Sequence, residues 1–193
     1  ADTVRNNQQN TVDSASSENE NFREFTDALF RDNVSGDILS LHTILQHPEN
    51  YGITNYEKTL GRYNLDNPTD NSDISDCLTQ LNSFDKNSLS KDQQITYELL
   101  KKYLETKLEY CDLFLLDTDL STTIGIQVQL PIIFAEYTFN EVKDIDEYLC
   151  AVEDTDEFFE NLIEYEKMRS EKGYFMETSL AEEIIEQCNT FID

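Results

Sequence analysis

Apolar residues recur at spacings of three and four along most of the chain, the period of a helix with one buried face. Phe22, Phe25, Leu29 and Phe30 form the first such stripe, which predicts a helix over about 21–34. Asn21 suits its cap and Gly36 breaks it. Asp37 then caps a second helix with Ile38, Leu41 and Leu45 inward, ended by Pro48. Residues 48–72 hold two of the three prolines and read as a long irregular connection. A third helix is expected over 73–84, through Ile74, Cys77, Leu78 and Leu81. Ser90 and Gln93 have the spacing of a capping box, and they open the longest helix, over 91–116. Tyr97, Leu100, Leu104, Leu108, Cys111 and Leu115 share one of its faces. Three more helices follow, over 143–153, 155–172 and 179–192, the last with a capping box at Ser179 and Glu182.

One stretch departs from this period. Residues 125–139 read GIQVQLPIIFAEYTF, with Glu136 as the one charge. From Ile124 to Leu130 apolar residues alternate with Gly125, Gln127 and Gln129, the pattern of a half-buried strand with an amide-bearing face. Pro131 ends the strand and begins a helix through Ile132, Ile133, Phe134 and Tyr137. A lone strand has unpaired backbone groups and must find a partner. The fold class expected is all-α, an irregular bundle of about seven helices with at most one short strand or hairpin near 123–130. Residues 1–20, rich in Asn, Gln, Ser and Asp, have almost nothing to bury and read as a disordered polar tether. Residues 21–193 form one helical domain.

Composition supports this reading. There are 5 glycines and 3 prolines in 193 residues, too few for a turn-rich β architecture. Against 40 acidic residues stand 14 basic ones, for a formal net charge of -26. Neutralising nucleic-acid phosphates or docking on anionic lipid needs the opposite sign. No apolar run is long enough to span the hydrocarbon of a bilayer. The four cysteines each fall on an apolar helical frame and read as core thiols.

Candidate chemistry is sparse. His42 and His47 are five apart, on different faces of a helix, and read as surface or satisfied core histidines and not as a zinc pair. The acidic segments from Asp66 and from Asp117 lack the Gly and Glu that an EF-hand loop requires. HExxH, GxSxG, P-loop and GxGxxG motifs are all absent from the sequence. No catalytic or metal-binding residue is assigned. A small enzyme built on paired carboxylates remains a third reading, with no specific pair to favour among so many acids.

The second half resembles the N-terminal region of the bacterial domain-of-unknown-function 885 family. The segments that carry the likeness are GIQVQLPIIFAEYTF (125–139), DIDEYLCAVEDTDEFFENLIEYEKMRSEKGYFM (144–176) and SLAEEIIEQCNTFI (179–192). FREFTDALFRDNVSGDILSLHTIL (22–45), the YGI of 51–53 and LSKDQQITYELLKKYLE (89–105) fit the same family upstream. Members of that family are longer chains that resemble thermolysin-like, HExxH-bearing zinc metallopeptidases, many of them exported or lipid-anchored. The resemblance implies that this chain is the non-catalytic, helical N-terminal part of such a protein and one wall of its peptide cleft. Zinc is then expected in the parent protein and no cofactor in this part. The implied partners are the C-terminal half of the parent chain and peptide, with no nucleic acid and no membrane span. The implied location is extracytoplasmic or lipid-anchored at the cell surface, a cytoplasmic one being the alternative. Gln127 and Gln129 are the candidate residues to face peptide or the downstream half; the competing reading makes them amides that satisfy neighbouring backbone. Apolar surface left open by the missing half predicts a homodimer of this chain. The rival function is a self-contained acidic helical module that binds a protein or peptide at the cell surface.

Overall fold

Each predicted cap has a backbone to satisfy, and the computed structural model places two of the four, Asp37 and Ser90, where the sequence does. It describes the backbone of residues 2–192 and the side chains of residues 17–190. Helix α1 runs Asp2–Val34, α2 Ile38–Ile44, α3 Ser72–Asn82 and α4 Lys91–Tyr110. After these come α5 Ile126–Ala135, α6 Lys143–Glu153, α7 Thr155–Glu171 and α8 Thr178–Ile192. Short 3-10 turns cover Pro48–Tyr51, Lys86–Ser88 and Cys111–Leu116. No strand occurs among the described residues. The tether expected over 1–20 lies, as far as residue 16, outside the residues whose side chains are described. The expected cap Asn21 is inside α1, not at its start.

The chain divides into two compact units. The first comprises residues 1–33 and 69–112. Its core is Phe22, Phe25, Leu81, Leu89, Tyr97 and Leu104, with α3 packed along α4. The Ser90–Gln93 capping box forms as the sequence predicts. Asn19 ties α1 to that cap: its Oδ1 accepts from the Ser90 N–H at 2.7 Å and its carbonyl from Gln93 Nε2 at 2.8 Å. Helix α4 stops at Tyr110, and the rest of the expected helix tightens into the 3-10 turn Cys111–Leu116.

The second unit comprises residues 34–68 and 113–193. Val34, Ile38, Leu39, Leu41, Leu45, Ile53, Leu130 and Ala151 are its buried centre. Asp37 caps α2 by accepting from the Ser40 N–H at 2.7 Å. Helix α7 ends at Gly173, whose φ of 80° is the left-handed conformation that glycine adopts without strain. The Tyr174 N–H reaches back to the Arg169 carbonyl at 2.9 Å, closing a Schellman-type end. Arg169 is buried beside Glu166, donating to both of its carboxylate oxygens at 2.7 and 3.0 Å and to the Leu115 carbonyl at 3.0 Å. The charge on each is thereby compensated, and the 3-10 turn is tied to α7.

Residues 126–130 of the strand expected over 124–130 are instead the start of α5, which also contains Pro131, and Ile124 and Gly125 form the turn and cap before it. The physical reason lies in the same residues. Ile126, Leu130, Ile133, Phe134 and Tyr137 fall at helical spacings and pack into the second core. A helix satisfies its own N–H and C=O groups, whereas an unpaired strand leaves them to solvent. The cap of α8 also differs: Ser179 lies inside the helix, and the Glu177 carbonyl accepts the first turn's N–H groups.

Candidate functional site

The chemistry-bearing residues of the second unit converge around α6, whose two faces invert the usual pattern. Its inner face carries Asp144, Glu147 and Ala151, all buried. Its outer face carries Ile145, Leu149 and Val152, exposed to 49%, 50% and 42%. Val142, one turn earlier on the same stripe, is 83% exposed. Positions 145, 149 and 152 are one turn apart, so they form a continuous apolar stripe. Buried carboxylates opposite exposed aliphatics are the reverse of what the hydrophobic effect selects for in an isolated surface helix.

The inner face meets three other side chains, Tyr56, Tyr137 and His42, and two backbone N–H groups. Asp144 Oδ2 accepts the N–H groups of Asn140 and Glu141 at 2.6 and 2.8 Å, which fixes the loop leading into α6. Glu147 Oε1 accepts the Tyr56 hydroxyl at 2.5 Å. Burial, then the hydrogen bond to Glu147 and its charge, push the Tyr56 phenol well above its ordinary value. Tyr137, at the end of α5, is pushed the same way by burial and by the charges of Glu147 and Asp144. Its hydroxyl oxygen is buried without a hydrogen-bond partner. The His42 ring, from α2, stacks on Tyr137 with centroids 3.9 Å apart and planes 11° from parallel. His42 Nε2 lies 2.8 Å from the Thr138 carbonyl. A carbonyl can only accept, so Nε2 carries a proton, and in the neutral ring Nδ1 is the nitrogen with the lone pair. One ligand atom from each of His42, Asp144 and Glu147 lies within 4.8 Å of the others.

An exposed second cluster lies nearby in sequence. His47 Nδ1 sits 3.2 Å from Glu49 and 3.0 Å from Glu141. Lys143 Nζ lies 3.2 Å from Glu49 and 3.6 Å from Glu141, so an ammonium already compensates these acids. The Glu49 carboxyl is held below its ordinary value, first by a backbone hydrogen bond and then by Lys143.

Gln127 and Gln129 do not share a face. On a helix two residues apart point to nearly opposite sides. Gln127 is buried at 1% exposure; its Nε2 donates to the Ser121 carbonyl at 2.6 Å and to Gln187 Oε1 at 2.8 Å. Gln187 Nε2 in turn donates to the Thr122 carbonyl at 3.0 Å, so the pair binds the 121–122 loop to α8. Gln129 is exposed. The inward glutamine therefore acts as the amide that satisfies neighbouring backbone.

Sequence reasoning missed Tyr56, Tyr137, Asp144 and Glu147, and it set His42 aside. Asp144 and Glu147 are three apart and opposite Ile145 and Leu149, which reads as a solvated acidic face. The residues that reveal otherwise come from α2, the irregular connection and α5, far away in sequence.

A family model described as "Bacterial protein of unknown function (DUF885)" matches residues 51–193, well over half of the chain. No curated protein and no solved structure matches it.

Proposed function

The chain belongs to the DUF885 family, and from that premise we propose that it is the non-catalytic, helical N-terminal part of a bacterial zinc metallopeptidase, forming one wall of the peptide cleft. The observation that carries this reading is the outer face of α6. Val142, Ile145, Leu149 and Val152 lie open to solvent on a chain with a net charge of -26. Contiguous apolar surface of this kind marks a place that another surface covers. The occupant we assign is the downstream part of the same polypeptide, which would also bring the zinc ligands that this sequence lacks. On the same reading the protein is extracytoplasmic or lipid-anchored at the cell surface. Among the described residues no helix is long and apolar enough to cross a membrane.

The test is made on the product of the whole reading frame. It should contain one zinc ion at an HExxH motif downstream of Asp193 and should cleave peptides, while the 193-residue chain should not. Leu149→Glu should leave the 193-residue chain folded and impair turnover by the whole product. A reading frame that closes at Asp193, or a whole product without peptidase activity, contradicts the proposal.

A self-contained peptide-binding module is the second reading, and one observation favours it. The first unit has an open groove of about 860 Å³ lined by Phe30, Ile74, Cys77, Leu99, Leu100 and Tyr103. Its apolar lining suits an amphipathic helix. Binding of such a peptide by a chain whose reading frame ends at Asp193 would establish that reading instead.

A further inference from the structure

The inner face of α6 presents an unresolved charge problem. Asp144 and Glu147 are 3% and 5% exposed and lie on the same side of one helix turn. Two buried carboxylates at this spacing repel each other and have lost most of their hydration. Buried acids are ordinarily compensated by a guanidinium or an ammonium, as Glu166 is by Arg169 in this same unit. No Arg or Lys bonds to Asp144 or Glu147 among the described residues. The adjacent Lys143 instead turns its ammonium to Glu49 and Glu141.

The lone pairs left over are specific. Asp144 Oδ2 is taken by two backbone N–H groups and Glu147 Oε1 by the Tyr56 hydroxyl. Asp144 Oδ1 and Glu147 Oε2 take no hydrogen bond from a described residue and are not sealed from solvent. In the neutral ring His42 offers Nδ1 as its lone-pair nitrogen, because Nε2–H is bound to the Thr138 carbonyl. An imidazole that gives one N–H to a backbone carbonyl and offers the other nitrogen is the arrangement that orients histidine ligands on metals. Tyr137, stacked on that imidazole, supplies a buried oxygen with no partner among the described residues. These are separate observations on four side chains, and each leaves a donor unused.

We propose that His42, Asp144 and Glu147 bind a first-row divalent cation, with the Tyr137 hydroxyl beside it. Such an ion supplies the two positive charges that the buried pair lacks. The donor set is one nitrogen and several oxygens without thiolate, which suits Zn²⁺ or Mn²⁺. Ca²⁺ takes six to eight oxygens, more than this set offers. Two donors bound about 2.1 Å from one ion lie roughly 3.4 Å apart in a tetrahedral shell, so small side-chain adjustments bring a 4.8 Å cluster together. The ion bridges α2 to α6 and so has a structural role, distinct from any catalytic zinc that the downstream region would carry. The inference is independent of the metallopeptidase reading, because every residue in it belongs to this chain.

The experiment uses the 193-residue chain, stripped with chelator, and titrates it with Zn²⁺ and separately with Mn²⁺ by calorimetry and thermal unfolding. One equivalent should bind and raise the melting temperature. His42→Gln and Glu147→Gln should each weaken binding by about tenfold or more. Gln at position 147 still accepts from Tyr56, so the fold is kept. His47→Gln, in the exposed cluster, should leave binding unchanged. The Co²⁺-substituted wild-type chain should show absorption bands that His42→Gln alters, a readout that does not depend on how stable a variant is. Absence of stoichiometric binding by the wild-type chain overturns the proposal, and so does a loss of binding in His47→Gln that His42→Gln does not share.

Discussion

Gly125 shows how little room a single position leaves. A Cβ there would fall 2.1 Å from Gln127 Oε1 and 2.3 Å from the Ser121 nitrogen. The glycine is what lets the 121–124 turn close onto the start of α5, where Gly125 is also the N-cap. Gly125→Ala should therefore cost about 1–3 kcal/mol by overpacking, measured by urea denaturation. Equal midpoints would contradict this. Tyr165 offers a second test at the same scale. Its side chain is fully buried, its ring stacks on Tyr63 at 4.1 Å, and its hydroxyl reaches the carbonyls of Phe114 at 2.5 Å and Asp117 at 3.0 Å. Burial pushes the phenol up to about 12 from its ordinary 10. A raised value means that the folded state holds the proton longer than the unfolded chain does. The contribution is complete below pH 10 and is lost as pH rises through 12. Tyr165→Phe should cost about 1–2 kcal/mol at neutral pH through the lost hydrogen bond. That gap should narrow above pH 10, because phenylalanine has no proton to lose. A gap that stays constant between pH 7 and pH 11.5 would count against the buried phenol.

At the scale of elements, α5 and α6 separate what the sequence discloses from what it conceals. Capped helices with strong stripes were legible: Asp37, Ser90 with Gln93, and Gly173 stand at the ends where local chemistry puts them. The alternation over 124–130 was ambiguous because Ile126 and Leu130 are both two pleats and one helical turn apart. Periodicity alone cannot arbitrate a run this short. Only the absence of a pairing strand among the described residues, with Ile133, Phe134 and Tyr137 extending the stripe, favours the helix. Helix α6 was legible as a helix, and its orientation was not. Ile145 and Leu149 look like core, and only the contacts made by Tyr56 and the loop at Asn140 turn the acids inward. The helical reading of α5 predicts unequal glutamines. Gln127→Ala should destabilise by about 1–3 kcal/mol, since it leaves the Ser121 carbonyl and Gln187 without their partner. Gln129→Ala should stay within about 0.5 kcal/mol of the parent. Equal effects in chemical denaturation would favour a shared face and a strand.

For the whole molecule, charge and apolar surface oppose each other. A net charge of -26 keeps copies apart at low ionic strength, while the stripe on α6 draws them together. Salt shortens the reach of the repulsion, from a Debye length of about 30 Å at 0.01 M to about 8 Å at 0.15 M. Light scattering should therefore find the chain monomeric in dilute buffer and increasingly dimeric as salt rises, with Leu149→Glu monomeric throughout. Association that weakens with salt would require attraction between charges instead. Family membership and helical class could be read from spaced residues along the chain, but the site could not, because it joins His42, Tyr56, Tyr137, Asp144 and Glu147 across some hundred positions. The most direct test of the central claim is hydroxyl-radical footprinting of Ile145 and Leu149 in this chain and in the product of the whole reading frame. The two side chains should label readily here and be protected several-fold when the downstream region is present. Equal labelling in the two proteins would mean that nothing downstream covers α6, and the proposed wall of the cleft would have no opposite side.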